Sequence, residues 1–361
     1  MRLIMVLLVV ISLITGISGG LLRAGASLPA LSQQPWAHHA VALHAALMVC
    51  GFLGTVISIE RAVALRLVWA FVAPWACAVG ALCLLNGQPE WGAWAFELGA
   101  LVFLVVNVLI VARQAAPHTW LLLASALAWV WGNTLFLQRG LVDATLSAWF
   151  SFLVLTIAAE RLEMSRLLRR KPYVQPVLIG IVTLLLLAMG LAAWQPMIGG
   201  ALFGVSLLLL AVWFGLFDIA RHTVRTKGLS RYMAICLLTG YAWLAVAGLC
   251  WAAYACGWSY RDASLHALGL GFIMSMVMGH APVILPAVAG IKLHFDRRFY
   301  VPLVALHLSL FVRLIGGSMD PVWRTVGSEL NAAALGLFAM TVISAALSWR
   351  RVDKARARIG P

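Results

Sequence analysis

The sequence predicts an all-α fold: a polytopic transmembrane bundle of about twelve helices, forming a single transmembrane domain over 1–361. Three observations predict it: an extreme apolar composition, apolar runs recurring at bilayer length, and basic residues segregated between alternate connections. Hydrophobic residues make up 63% of the chain and charged residues 11%, with 16 Trp. A soluble domain holds roughly 45–50% and about 25%, so a water-soluble core cannot use this much apolar surface.

The first apolar run, 3–22, follows Arg2 as a signal peptide would. It is nevertheless long enough to span a bilayer, and Thr15-Gly-Ile-Ser-Gly-Gly is a poor cleavage site, so we read it as the first helix. Further runs lie near 39–59, 67–86, 92–112, 118–137, 141–160, 174–194, 197–219, 232–256, 262–289, 299–317 and 327–349. At 1.5 Å per residue each is about the length that hydrocarbon demands. The connections are short, with no linker or soluble insertion.

Lys and Arg accumulate in cytoplasmic loops. One side collects Arg2, Arg61, Arg66, Arg113, the run from Arg161 through Arg166, Arg169, Arg170 and Lys171, the run Arg221 to Arg231, Lys292, Arg297, Arg298 and the tail from Arg350 to Arg358. The other side holds Arg23, Arg139, Arg261, Arg313 and Arg324, dividing the 26 basic residues 21 to 5. Both termini are therefore expected in the cytoplasm of a bacterial-type inner membrane. The net charge of +14 belongs to inner loops facing anionic headgroups, so the partner is the lipid bilayer and not nucleic acid.

Cys50, Cys77, Cys83, Cys236, Cys250 and Cys256 all fall within these runs without a CxxC pair, which suits small packing residues. A repeat is also visible. The second run ends Ile57-Ser-Ile-Glu60-Arg61 and the sixth Ile157-Ala-Ala-Glu160-Arg161, with Phe52 falling on Phe152. Leu43-His44-Ala45 returns as Leu265-His266-Ala267 at the start of the tenth run. Helices two, six and ten are thus related at intervals of four, which suggests three four-helix pseudo-repeats.

Of nine histidines, His118, His222 and His294 belong to inner connections, whereas His38, His39, His44, His266, His280 and His307 are expected at membrane depth. Ionisable groups there are costly and face an interior, a cavity or a ligand. His44 and His266 each lie about one turn below the outer surface on helices of the same direction. Two neutral imidazoles opposed at one level are the axial set of a low-spin haem; interhelical hydrogen bonding is the competing reading. His280 follows His266 by fourteen residues, within about 40° of the same face and about 21 Å deeper. His307 reaches a similar inner depth on the next helix. That pair is a candidate second haem or metal site, with Pro282 and Pro286 freeing carbonyls beside it. Two stacked centres would parallel cytochrome b proteins. The alternate spacing of Met274, Met276 and Met278 argues against copper on all three.

Twelve helices with both ends inside and outer-half histidines on helices two and ten resemble subunit I of the haem-copper oxidases, whose low-spin haem is held by histidines on those helices. The segments His44-Ala-Ala-Leu-Met48-Val-Cys-Gly-Phe52 and His266-Ala-Leu-Gly-Leu-Gly-Phe272 through His280 also resemble the NnrS family. Those are membrane haem proteins that carry copper as well and are associated with nitric oxide and nitrosative stress. The resemblance implies haem as cofactor, copper as a second metal, and nitric oxide or a redox protein as partner. Helices six and seven lack the histidines of the oxidase copper site, so oxygen reduction at a binuclear centre is rejected. The competing function is a cofactor-free transporter or accessory subunit using Glu97, Asn107, Asn133, Asp143, Asp218 and Arg313. Nucleotide loops, metalloprotease motifs and nucleophile elbows are lacking, which excludes an ATP-driven pump.

The charge division gives the first prediction. With Arg170→Cys in a cysteine-free background, an impermeant thiol reagent should leave intact cells unlabelled; labelling from outside would reverse the orientation.

Overall fold

Backbone N–H and C=O groups find no water in hydrocarbon, so an apolar chain of this kind must close its hydrogen bonds within helices. The computed structural model of the chain describes residues 2–165 and 171–359, and those residues hold helices and connections but no strand. Arg166, Arg169 and Arg170 lie outside the described residues.

Twelve helices among the described residues are long and apolar enough to cross a membrane. They are α1 (Ile4–Arg23), α2 (His44–Leu65), α3 (Val68–Leu85), α4 (Pro89–Arg113), α5 (Pro117–Arg139), α6 (Asp143–Met164), α7 (Val174–Leu191), α8 (Pro196–Phe217), α9 (Gly228–Ala255), α10 (Arg261–Pro286), α11 (Arg297–Met319) and α12 (Pro321–Arg350). The chain is a multi-pass membrane protein. Proline stands at the first helical position of α4, α5 and α8, where its missing N–H is no loss. Apolar residues face outward as readily as inward. On α4, Leu98, Leu101, Val105 and Val108 are exposed while Phe96, Ala100 and Phe103 are buried. Exposed Trp91, Trp94, Trp120, Trp194, Trp258 and Trp323 sit near helix ends, the level of the headgroups.

The helices pack in sequence as three arcs. From α2 to α6 the path runs through α3, α4 and α5; from α6 to α10 through α7, α8 and α9; and from α10 back to α2 through α11, α12 and α1, where α1 meets α12. The corner helices are also the most enclosed, with 89% of the α6 window, 67% of α2 and 61% of α10 buried, against 22% for α12. These are the three helices that share sequence features, and the four-helix interval is the interval between corners.

The repeated Glu-Arg pairs meet at one end of this interior. Arg61 Nη2 lies 3.2 Å from Glu60 and 3.0 Å from Glu160, joining α2 to α6. Arg161 is not in that bridge; its Nη2 donates to His280 Nε2 on α10 at 3.0 Å. At the opposite end Asp143 accepts from both Arg261 Nε and Nη2, at 3.1 and 3.0 Å, and from the Tyr254 hydroxyl at 2.7 Å, tying α6 to α9 and α10.

Elsewhere the helices approach through glycine, as expected where packing and not hydrophobicity drives association. A Cβ on Gly204 would lie 2.4 Å from Ala252 N and 2.5 Å from Gly248 O, across the α8–α9 contact. The glycines that argued against a cleavage site form a contact face of α1: Gly19 meets Ala40 and Gly20 meets the His44 ring.

Three expectations are corrected. The second membrane helix begins at His44 and runs to Leu65, not 39–59, because Leu43 (φ −110, ψ 21) breaks the helix after Ala42. His38 and His39, with ring centroids 3.8 Å apart, therefore stand on a short preceding helix outside α2. Cys256 is the exposed cap of α9 and not a membrane packing residue. The alternating Met274, Met276 and Met278 are all buried, since α10 is surrounded by neighbours.

Gly204→Ala should lower the stability of the detergent-solubilised protein by about 1–3 kcal/mol through overpacking. Gly180→Ala, with nothing within 4 Å of its Cβ, should be close to neutral. Reversible denaturant unfolding of both variants distinguishes them, and equal stabilities would refute the close α8–α9 contact.

Candidate functional site

The third arc, α10–α11–α12–α1–α2, gathers the charged and imidazole groups of one end of the bundle. His44 opens α2 immediately after the Leu43 break, and its Nδ1–H donates to the Gly16 carbonyl of α1 at 2.6 Å. The ring lies against Gly20, where a Cβ would come within 2.8 Å of His44 Cε1. His266, Arg313 and Arg23 are among the titratable groups around His44.

His266, five residues into α10, donates Nδ1–H to the Asp262 carbonyl oxygen at 2.9 Å and lies 3.1 Å from the Asp262 carboxylate. That carboxylate is held in turn by Arg313 of α11, Nε to Oδ2 at 3.1 Å and Nη2 to Oδ1 at 2.8 Å. This two-pronged geometry matches the guanidinium fork. Arg313 is buried and its side chain spent on Asp262, which accounts for an arginine inside a membrane helix without a transport role.

Each imidazole is half-buried and commits Nδ1 to an oxygen that can only accept. In the neutral ring the proton therefore sits on Nδ1, and Nε2 carries the lone pair. Neither Nε2 has a hydrogen-bond partner among the described residues. This is the outer-sphere pattern of a metal-bound histidine: one nitrogen fixed by a carbonyl or carboxylate, the other presented. The two fittings differ, since a carbonyl alone holds His44 whereas the ion-paired Asp262 carboxylate stands beside the carbonyl that holds His266.

The backbone is distorted at these positions. Three π-helical segments occur among the described residues: Leu47–Gly54 after His44, Ala267–Ile273 directly after His266, and Val312–Gly316 containing Arg313. Each wide turn inserts a residue into the helical register and so re-aims its neighbours, a device frequent at functional sites. Gly327 of α12 admits the last of them, for a Cβ there would lie 2.4 Å from Arg313 Cα. Sequence reading found both histidines; it missed Asp262 as the group joining His266 to Arg313, although the Asp262–His266 spacing of one turn was available.

The inner pair is arranged differently. His280 Nδ1–H donates to Met276 O at 2.7 Å while Nε2 accepts from Arg161. His307 Nδ1 accepts from Trp243 Nε1–H at 2.9 Å, and its Nε2–H donates to Thr239 Oγ1 at 3.0 Å. All four nitrogens are engaged, so ligation there requires a bond to break. Among the described residues no cluster of three or more His, Cys, Asp or Glu is placed to hold a metal. The α10 prolines do what their position implies. Pro282 leaves the Met278 carbonyl without its helical donor, and the Tyr232 hydroxyl supplies one at 3.3 Å.

Of the polar groups of the transporter reading, Asn133 makes three hydrogen bonds within the bundle. Its Oδ1 accepts from Trp149 Nε1 at 2.8 Å and from Cys50 Sγ at 3.4 Å, and its Nδ2 donates to Phe96 O at 2.9 Å. Asn107 donates to Phe103 O within its own helix, and Asp218 accepts from the Ala220 N–H at 2.7 Å. Glu97 lines a cavity.

The chain belongs to the family described as Domain of unknown function (DUF8744), whose family model matches residues 2–347. No curated protein matches it.

In a double-mutant cycle on Asp262→Asn and Arg313→Leu, the pair should show a coupling of roughly 0.5–3 kcal/mol, below the figure for a fully sealed pair because the Asp262 side chain is 30% exposed. Additive effects in denaturant unfolding would show that the fork does not tie α10 to α11.

Proposed function

We propose that this protein is a haem-binding protein of the bacterial-type inner membrane, of the NnrS type, in which His44 and His266 are the two axial ligands. Its role would be membrane electron transfer or the response to nitric oxide and nitrosative stress, with nitric oxide or a redox protein as partner. The observation that carries the proposal is the matched presentation of the two imidazoles: each Nδ1–H rests on an oxygen acceptor, each Nε2 lone pair is free, and each ring borders a π-helical segment.

Bound haem would supply a one-electron iron couple. The chain's own residues would set the conditions for it. Gly20 leaves room for the His44 ring beside α1. The Asp262 carboxylate raises the donor strength of His266, and the Arg313 fork keeps that carboxylate in place. Arg23, whose charge is felt at His44, would supply positive charge suited to the haem carboxylates. Copper is not assigned to His280 and His307, whose nitrogens are already bonded.

Protein purified from haem-replete cells should carry about one haem per chain with a low-spin, two-histidine spectrum. His44→Ala and His266→Ala should each abolish that spectrum, whereas His280→Ala should leave it intact. A colourless wild-type protein, or low-spin haem retained in both of the first two variants, would refute the proposal.

A further inference from the structure

A cavity of about 810 Å³ opens at the same end of the molecule, between α4, α5 and the break that precedes α2. Leu43 and Phe136 contribute to its apolar wall, and Glu90, Trp94, Glu97 and Thr134 bring polar and aromatic groups into it. Its lining includes no Lys, Arg or His, in a chain that has 26 Lys and Arg against 12 Asp and Glu. Its ionisable lining groups are the carboxyls of Glu90 and Glu97, set against the basic excess of the chain.

Glu97 is 9% exposed. Its Oε1 accepts a long hydrogen bond from Thr134 Oγ1, at 3.3 Å. Its Oε2 is buried with no partner. A carboxylate oxygen left without a donor at membrane depth is costly. Glu90, Trp94 and Glu97 follow at intervals of four and three residues, so α4 presents two carboxylates and an indole on one face. An indole face attracts a cation, and the buried carboxylate completes the set. The exposed Trp94 side chain borders the mouth at headgroup level, where an amphiphile dissolved in the outer leaflet would enter.

We infer that this cavity is a binding site for an amphipathic organic cation, an ammonium carried on an apolar body, with the ammonium N–H groups donating to the Glu97 carboxylate and the charge resting against Trp94. The site is independent of the haem reading: none of its lining residues is a proposed ligand, and it stands or falls separately.

Two probes of equal size separate charge from shape. 1-(Aminomethyl)naphthalene is a cation at neutral pH, and 1-naphthalenemethanol is its neutral counterpart. Binding of each is measured on the full chain in nanodiscs of zwitterionic lipid, with empty nanodiscs subtracted. The amine should bind at least about tenfold more tightly than the alcohol, the size of one charge-assisted hydrogen bond. Glu97→Gln should erase that preference, Trp94→Leu should reduce it about threefold, and the haem content should stay unchanged in both. Equal binding of the two probes to the wild type, or amine binding that survives Glu97→Gln, would overturn the inference. Tighter binding of the alcohol would do so as well, and would point to a neutral hydroxyl donor instead. If Glu97→Gln does not fold, the wild-type comparison together with Trp94→Leu decides.

Discussion

Arg61, bridged between Glu60 and Glu160, fixes the point about which the twelve helices are arranged. A guanidinium at the end of a buried helix must have its charge met, and the two carboxylates that meet it come from two different corners of the bundle. Arg161 extends the tie to the third corner by donating to His280. With α2, α6 and α10 held together at one end, the outer helices have no arrangement left but three arcs between successive corners. Bridges of this sort add little net stability over a well-packed apolar contact, but they penalise any other register by leaving a charge unpaired. The rest of the architecture depends on that penalty, because apolar helices in lipid have weak preferences among partners.

The opposite end of the interior is built for presentation and not for closure. There the histidines turn one nitrogen toward the protein and keep the other free, and the π-helical turns beside them shift the register that an uninterrupted helix would impose. The contrast with His280 and His307 is instructive. Those rings carry the same atoms at comparable burial, yet hydrogen bonds occupy both sides, and they act as cross-links between helices. A histidine's role in this chain is decided by its neighbours and not by its depth.

Much of this was legible in the sequence. The segments could be read to within a few residues because bilayer thickness fixes their length, and the Glu-Arg and Leu-His-Ala repeats singled out the three helices that prove most enclosed. The likeness of Glu60-Arg61 to Glu160-Arg161 did not reveal that Arg61 takes both carboxylates while Arg161 turns to His280, since that choice is made between helices about a hundred residues apart. The Leu43 break was invisible because His38, His39 and the alanines around them match the composition of the helix that follows. The π-helical turns were equally hidden: a residue inserted into a helix leaves no mark on an apolar run. The cavity at Glu97 was half visible, as a carboxyl in the wrong place, but the absence of basic residues around it emerges only when α4 and α5 are set side by side.

The break at Leu43 joins two regions that the chain otherwise keeps apart. Leu43 forms part of the wall of the acidic cavity, and the next residue is His44, whose imidazole rests on α1. One peptide unit thus separates the cavity wall from the imidazole that rests on α1. A substitution that straightened this break would displace the cavity wall and the His44 imidazole together.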